Sequence, residues 1–270
     1  MEKEMIEITA KMVMSLRVMT GAGMMNCKVA LIASKGDMDL AKDELRKLGI
    51  LIADKKAGRD ANEGLVGVRV MQDAAYIVMI NCETDFVARN ERFQSFVKEY
   101  LDQTEKQATF SDEDVAKVVT EVGENIKLGR ATTVNQVNVL GGYVHGKIAD
   151  ELGTIGVVVS LKGEPTVELG VLAHTIAMHI AALNPKSIDA DSLDQEFIEA
   201  ERKFLTDQAI ESGKPTEIIE KMVEGRMRKM LKEVTLVDQP FVVDPDRTVG
   251  AVLKEAGAEV VEFMRFAVGE

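Results

Sequence analysis

The chain has 270 residues, of which 46% are hydrophobic and 29% are charged, and its formal net charge is −12. This apolar content is enough for a packed core and excludes a chain that is disordered over most of its length. The acidic balance argues against a protein that binds RNA or DNA directly, because neutralising phosphates requires a basic face.

Several other protein classes are also unsupported by the sequence. The longest apolar run, over residues 74–80, is far shorter than the roughly 20 residues of a membrane helix, and the acidic N-terminus does not resemble a signal peptide. The two cysteines, Cys27 and Cys82, form no C-x-x-C motif, so a disulfide framework or structural zinc site is not expected. We therefore expect a cytoplasmic protein with reduced thiols, no membrane partner, and no metal or cofactor.

Residues 1–54 are predicted to form a small bundle of three helices. The helical spacing of apolar residues is interrupted at residues 20–23 and at Gly36, and the third helix is expected to end at Gly49. A bundle of this size is marginally stable alone. We interpret it as a docking module joined to a larger core by a polar linker over residues 51–63.

Residues 55–140 are predicted to form the first half of an α+β core. Alternating valines over residues 66–70 and the apolar run over residues 76–81 indicate two strands, and the apolar face over residues 92–107 indicates a helix. The unit is therefore a β-hairpin followed by a helix.

The second half of the core is predicted over residues 141–189 and 235–270. Strands over residues 143–148 and 155–161, followed by a helix over residues 167–183, repeat the order of the first unit at an offset of roughly 78 residues. The later part contributes a short helix near Asp246 and a final strand over residues 259–268.

Residues 190–234 are predicted to form an antiparallel helical hairpin. Its break lies at residues 212–215, and each of its two helices carries only a narrow apolar seam. Such a seam favours an arm that projects from the core over a pair of buried helices.

The residues show no obvious catalytic or metal-binding arrangement. The glycines of residues 21–23 follow a helix and lack the lysine of a phosphate loop, so a helix–helix turn is favoured. His174 and His179 lie about 140° apart around a helix and cannot share a metal from one face. Cys82 ends a strand and is predicted to be packed.

Residues 84–87 (T-D-F-V) are unusual because they follow an apolar strand directly. Two interpretations stay open from the residues alone. Thr84 or Asp85 could cap a backbone amide while Phe86 packs inside. Alternatively, a rigid strand presents Phe86 as an exposed wedge beside a carboxylate.

Two long segments of the chain resemble signatures of the elongation factor Ts family. Residues 20–28 read T-G-A-G-M-M-N-C-K, with Asn26 where the family usually has Asp, and residues 81–88 read N-C-E-T-D-F-V-A. Shorter matches follow in the same order, at residues 123–126, 143–146, 174–179 and 225–227.

The resemblance implies a guanine nucleotide exchange factor for elongation factor Tu, a translational GTPase, and no covalent chemistry. It also implies a helical, UBA-like N-terminal domain, a two-part α+β core and a coiled-coil hairpin, as the residue patterns predict independently. Whether the protein acts as a homodimer or in a dimer of heterodimers stays open. The rival functions are an enzyme with a dispersed site and a ribosome- or RNA-associated binding module without exchange activity.

The resemblance further implies roles for individual residues. The segment of residues 84–87 enters the nucleotide-binding domain of the GTPase near its bound magnesium, where Phe86 wedges between helices and Asp85 disturbs the magnesium site. Met24, Met25 and Lys28 are expected to contact the same domain. A different part of the GTPase is expected to contact Val122, Gly123 and His145.

Overall fold

The computed structural model describes residues 7–211 and 215–270. The first residues of the predicted bundle and most of the predicted break at residues 212–215 lie outside the described residues. Helices α1 (Ala10–Thr20), α2 (Met24–Ala33) and α3 (Met38–Lys56) form the N-terminal bundle. Its small core is closed by residues from all three helices, among them Leu16, Cys27, Leu31 and Ala41.

The first half of the core contains a three-stranded antiparallel arrangement covered by helices. Strands β1 (Glu63–Val70) and β2 (Ala74–Cys82) form a hairpin, and the chain then passes through α4 (Asp85–Ala88), α5 (Glu91–Glu105) and α6 (Asp112–Val122). Strand β3 (Lys127–Asn135), which the sequence analysis did not predict, pairs with β2. The core beneath the helices includes the fully buried rings of Phe93 and Phe96.

Helix α3 is longer than predicted, and the reason lies at Gly49. A Cβ atom at this position would be 3.3 Å from Thr120 Oγ1 and 3.7 Å from the carbonyl oxygen of Ala116, both on α6. Glycine therefore allows the two helices to approach closely instead of ending α3. Because α3 continues to Lys56, the polar linker predicted over residues 51–63 is wrong in its first part, and the predicted division after residue 54 falls inside a helix.

The second half of the core has the predicted hairpin and helix, with shifted bounds in one strand. Strand β4 spans Val139–His145, so the prediction of a strand over residues 143–148 is placed too late. The chain continues through β5 (Leu152–Gly153), β6 (Ile155–Lys162) and α7 (Val167–Leu183), and α7 packs on β4 and β6. The α+β fold class is confirmed.

The predicted hairpin consists of α8 (Gln195–Ile210) and α9 (Thr216–Val234), which pack on each other through their own apolar cluster. After a short 3₁₀ turn, strands β7 (Pro240–Phe241) and β8 (Asp244–Thr248) precede α10 (Val249–Glu255) and β9 (Glu259–Ala267). The short helix predicted near Asp246 therefore begins later, where Thr248 caps its first turn.

Two sheets make up the centre of the core. Sheet A has the strand order β3-β2-β1-β5, and sheet B has the order β4-β6-β9. The sheets pack face to face, with Val66 and Ile77 of sheet A in the same cluster as Val158 and Phe266 of sheet B. Because β5 belongs to the second half in sequence but pairs with β1, the two halves are interlocked. Within the described residues, every helix is too short or too polar to span a bilayer.

Candidate functional site

The segment of residues 84–87 forms a single helical turn directly after the buried end of β2. Thr84 caps this turn, because its Oγ1 accepts a hydrogen bond from the backbone N–H of Val87 at 3.4 Å. Val87 and Ala88 are buried in the core of the first half, whereas Asp85 and Phe86 point outward. The turn is thus anchored on one side and presents two side chains on the other.

Phe86 is the most notable residue of this turn because it is 81% exposed. Burying a phenylalanine side chain is worth roughly 1.5–3 kcal/mol, and the isolated chain does not gain this stabilisation here. The sequence left two interpretations open, a packed Phe86 behind a capping residue and an exposed Phe86 wedge. The structure combines them, because Phe86 is exposed and Thr84 caps the turn. Asp85 is also exposed, and its only short-range cation among the described ion pairs is Arg89 at 3.9 Å.

A residue that the sequence analysis did not assign, Glu124, holds the start of this turn. Its Oε2 accepts hydrogen bonds from the backbone N–H groups of Glu83 (3.1 Å) and Thr84 (3.0 Å), and its Oε1 accepts one from Thr84 Oγ1 (2.6 Å). In return, Glu83 Oε1 accepts a hydrogen bond from the backbone N–H of Asn125 at 2.6 Å. The turn before α4 and the turn after α6 are therefore joined by two reciprocal carboxylates.

The same contacts bring Val122 and Gly123 next to the segment of residues 84–87. Val122 ends α6 and packs against the core of the first half, and Gly123 reverses the chain with a positive φ of 83°. This backbone conformation suits glycine and places Glu124 beside Thr84. The carbonyl oxygen of Gly123 also accepts a hydrogen bond from Lys56 Nζ, which ties the turn to the end of α3.

Met24, Met25 and Lys28 lie on a different surface, the outer face of α2. All three are exposed. Other exposed large apolar residues on α1 and α2 are Met14, Val18, Met19, Val29 and Ile32. Because so many exposed apolar side chains on two short helices are unusual for a monomeric soluble protein, this part of the bundle is a candidate interaction surface.

His145 lies on a third surface, at the end of β4 in sheet B. Its Nδ1 is 3.3 Å from the hydroxyl oxygen of Tyr143, and the His174 ring packs edge-on against the Tyr143 ring at 5.8 Å between centroids. The predicted site residues therefore fall into three groups. The structure brings residues 84–87 and 122–123 together, and it places the α2 residues and His145 elsewhere.

The buried titratable groups near these surfaces have structural contacts. Burial, with a smaller contribution from the charge of Glu124, raises the pKa of Cys82 to about 12, and its Sγ donates to the carbonyl oxygen of Thr84 at 3.2 Å. His179 is fully buried, and burial lowers its pKa. Its Nδ1 accepts a hydrogen bond from the N–H of Val242, so its Nε2–H donates to Gln239 Oε1 at 2.9 Å. Among the described residues, no group of three His, Cys, Asp or Glu side chains is arranged to hold a metal ion.

Comparisons with known proteins agree with the resemblance found in the sequence. The family model "Elongation factor TS" matches residues 83–270. A protein from Hydrogenovibrio crunogenus called Elongation factor Ts is 45% identical over 97% of this chain and 92% of its own length. Proteins of the same name from Brucella anthropi and Serratia proteamaculans are 45% and 43% identical, over 98% of this chain and 94% and 93% of their own lengths. Since the match includes the turn that carries Phe86 and extends over nearly the whole chain, the chain belongs to the elongation factor Ts family.

Proposed function

We propose that this protein is a guanine nucleotide exchange factor that binds the GDP-bound form of elongation factor Tu and promotes GDP release during translation elongation. One observation carries the proposal: Phe86, which is 81% exposed, stands on a turn whose opposite side is packed into the core. A rigid support with an exposed aromatic ring is suited to insertion between elements of another protein. Membership in the elongation factor Ts family supports the choice of partner.

The physical basis of the exchange is thermodynamic linkage. If the factor and the nucleotide each weaken the binding of the other to the GTPase, both effects are the same coupling free energy. Insertion of the Phe86 ring would bury apolar surface only in the GTPase conformation whose helices are displaced. The factor thereby stabilises a form that holds GDP weakly, and binding of GTP then reverses the complex.

Asp85 supplies the second part of the proposed mechanism. Magnesium neutralises the phosphate charge of a bound nucleotide, so disturbing the magnesium site raises the rate of GDP dissociation. An exposed carboxylate beside the wedge brings negative charge to this region. No bond is made or broken in these steps, and none of them needs a general base, so we propose an exchange factor and not an enzyme.

The remaining surfaces would secure the partner. Met24, Met25 and Lys28 on α2 are proposed to contact the nucleotide-binding domain of the GTPase, together with residues 84–87. His145, on sheet B, is proposed to contact a different part of the GTPase. The family resemblance groups Val122 and Gly123 with His145, but because they lie beside α4 we propose instead that they extend the contact around Phe86. Because translation elongation requires the factor and the GTPase in one compartment, we propose a cytoplasmic location.

The decisive experiment measures release of labelled GDP from elongation factor Tu with increasing amounts of this protein. We expect the release rate to rise and saturate, and to fall again when the Mg²⁺ concentration is raised, because free Mg²⁺ refills the disturbed site. An unchanged release rate despite binding to the GTPase would contradict the exchange function. If raising the Mg²⁺ concentration leaves the stimulated release rate unchanged, only the proposed role of Asp85 is contradicted.

A further inference from the structure

The helical turn of residues 84–87, which carries Phe86, needs support from residues elsewhere in the chain. Helix α4 contains only four residues, and so short a helix is not stable alone because helix nucleation is unfavourable. The ring of Phe86 contributes little packing, since most of the residue is exposed. The direction in which Asp85 and Phe86 point therefore depends on the burial of Val87 and Ala88 on one side of the turn and on how the backbone of Glu83 and Thr84 is held before it.

Glu124 provides this support from a distant part of the chain. It lies 40 residues after Thr84 and accepts three hydrogen bonds, from two backbone N–H groups and one hydroxyl. An ionised carboxylate is the acceptor-only group that can satisfy three donors at once. The hydroxyl of Thr84 thus donates a hydrogen bond to Glu124 while it accepts one from the N–H of Val87. The cap of α4 and the contact with Glu124 therefore belong to one hydrogen-bond network.

The turn that contains Glu124 is itself held by hydrogen bonds to neighbouring parts of the molecule. Asn125 is 3% exposed, and its side-chain amide donates to the carbonyl oxygen of Arg59 at 2.8 Å. Its backbone N–H donates to Glu83 Oε1 at 2.6 Å, and Lys56 donates to the carbonyl oxygen of Gly123. Glu124 is therefore held between α6 and the end of α3.

We propose that Glu124 is a positioning residue for nucleotide exchange, which fixes the orientation of the turn that carries Asp85 and Phe86. It acts through Thr84 and makes no contact with the nucleotide itself. This inference rests on the proposed exchange function. A support of this kind affects how well the wedge acts in the complex, and it affects the initial binding through the other surfaces much less.

The test is GDP release from elongation factor Tu by the full chain carrying Glu124→Gln. In this variant the amide oxygen can still accept from the two backbone N–H groups, but the amide nitrogen then faces the hydroxyl of Thr84, which has to accept instead of donating. The charge-assisted hydrogen bond between Thr84 Oγ1 and the carboxylate is therefore lost. We expect the maximal stimulated release rate to fall by roughly tenfold, because loss of such a bond corresponds to about that factor. The half-saturating concentration and the melting temperature should change little. Glu63→Gln, an exposed carboxylate at the start of β1, serves as the matched control and should leave the rate unchanged.

Two further variants separate positioning from a purely structural effect. In a chain that already carries Phe86→Ala, Glu124→Gln should cause a smaller fold-loss than in the unsubstituted chain, because only Asp85 remains of the two groups that it positions. Thr84→Val breaks the same contact from the other side and should lower the maximal rate in the same way. This second variant keeps the test valid if Glu124→Gln folds poorly.

The outcomes distinguish this inference from the proposed function. If the unsubstituted protein does not accelerate GDP release, the proposed function and the role of Glu124 are both wrong. If it does, and Glu124→Gln retains the full maximal rate, only the role of Glu124 is wrong. An equal loss in the presence and absence of Phe86 would likewise overturn positioning of the wedge.

Discussion

Phe86 and Phe96 lie close together in the chain, yet Phe86 is 81% exposed and Phe96 is fully buried. We expect Phe86→Ala to leave the free energy of unfolding almost unchanged, because removal of the ring creates no cavity in its own chain. Phe96→Ala should cost about 3–5 kcal/mol, as is typical for a buried phenylalanine. Thermal or urea unfolding of the two variants checks this contrast.

The exchange activity of these variants should follow the opposite order. Phe86→Ala should slow stimulated GDP release strongly, whereas Phe96→Ala should retain normal activity per folded molecule. Asp85→Ala should also slow release with little loss of stability, since its carboxylate is exposed. A large drop in the melting temperature of Phe86→Ala with normal exchange would identify Phe86 as a packing residue.

His179 makes the stability of the protein depend on pH in a defined direction. Burial lowers its pKa below the ordinary value of 6.5, so the folded protein binds fewer protons than the unfolded chain in the window below 6.5. The free energy of unfolding should therefore fall as the pH is lowered through this window, and it should stop falling below the folded-state pKa. Urea unfolding at about pH 7.5 and about pH 5.5 measures the effect.

His179→Gln provides the control for this pH dependence. A glutamine can accept from the N–H of Val242 and donate to Gln239, as His179 does through its two hydrogen bonds, but it does not titrate. The variant should lose less stability than the unsubstituted protein between the two pH values. Equal losses would mean that other groups cause the pH dependence.

The success of prediction from sequence differed between elements for identifiable physical reasons. Strand β2 and helices α5 and α7 were predicted within a few residues, because each has strong apolar periodicity or a continuous apolar run. Strand β3 was missed because most of its side chains are polar or only partly buried, and it forms by pairing with the edge of β2. The end of α3 was predicted too early because the contact of Gly49 with α6 is not visible in the local sequence.

The helical arm offers a test at the level of an element. Its apolar cluster consists of residues from α8 and α9 alone, and its two ends meet where Lys186 N–H donates to the carbonyl oxygen of Val234 at 2.8 Å. Replacing residues 190–234 by a short glycine linker should therefore leave a folded core. We expect a cooperative circular-dichroism melt near that of the full chain, and loss of this transition would show that the arm is part of the core.

At the level of the whole molecule, we predict that the N-terminal bundle is a docking module that can be removed without unfolding the core. Since Ile52 and Ala53 of α3 pack against the core of the first half, a truncation that removes the bundle but keeps this packing has to begin before them. A chain that starts at Gly49 should keep a normal core transition but bind elongation factor Tu more weakly, because α1 and α2 are absent. Titration of the GTPase with this truncated chain measures the loss.

A chain that starts at Lys55 serves as the comparison for this truncation. It lacks the two α3 side chains that contact the core, so it should melt at a lower temperature than the chain that starts at Gly49. Unchanged binding of the Gly49 chain to the GTPase would contradict a docking role for the bundle.

The site was only partly predictable because its parts come from distant regions of the chain. Asp85 and Phe86 could be proposed as site residues from a short segment, since the apolar strand that makes their position unusual comes directly before them. Glu124 could not, because its contacts with Thr84 span 40 residues and depend on the turn after α6. His145 and the three α2 residues could be named from the family resemblance, but the surfaces on which they lie are set by the fold as a whole.

The order of strands in sheet B has a consequence for the synthesis of this protein on the ribosome. The middle strand, β6, ends at Lys162, but its second neighbour, β9, begins only at Glu259, after the entire arm has been made. During that interval one edge of a largely buried strand has no partner and can pair with other nascent chains. A product that terminates early within the arm would keep this open edge permanently, and it should therefore aggregate, whereas a chain that lacks only the arm still closes the sheet.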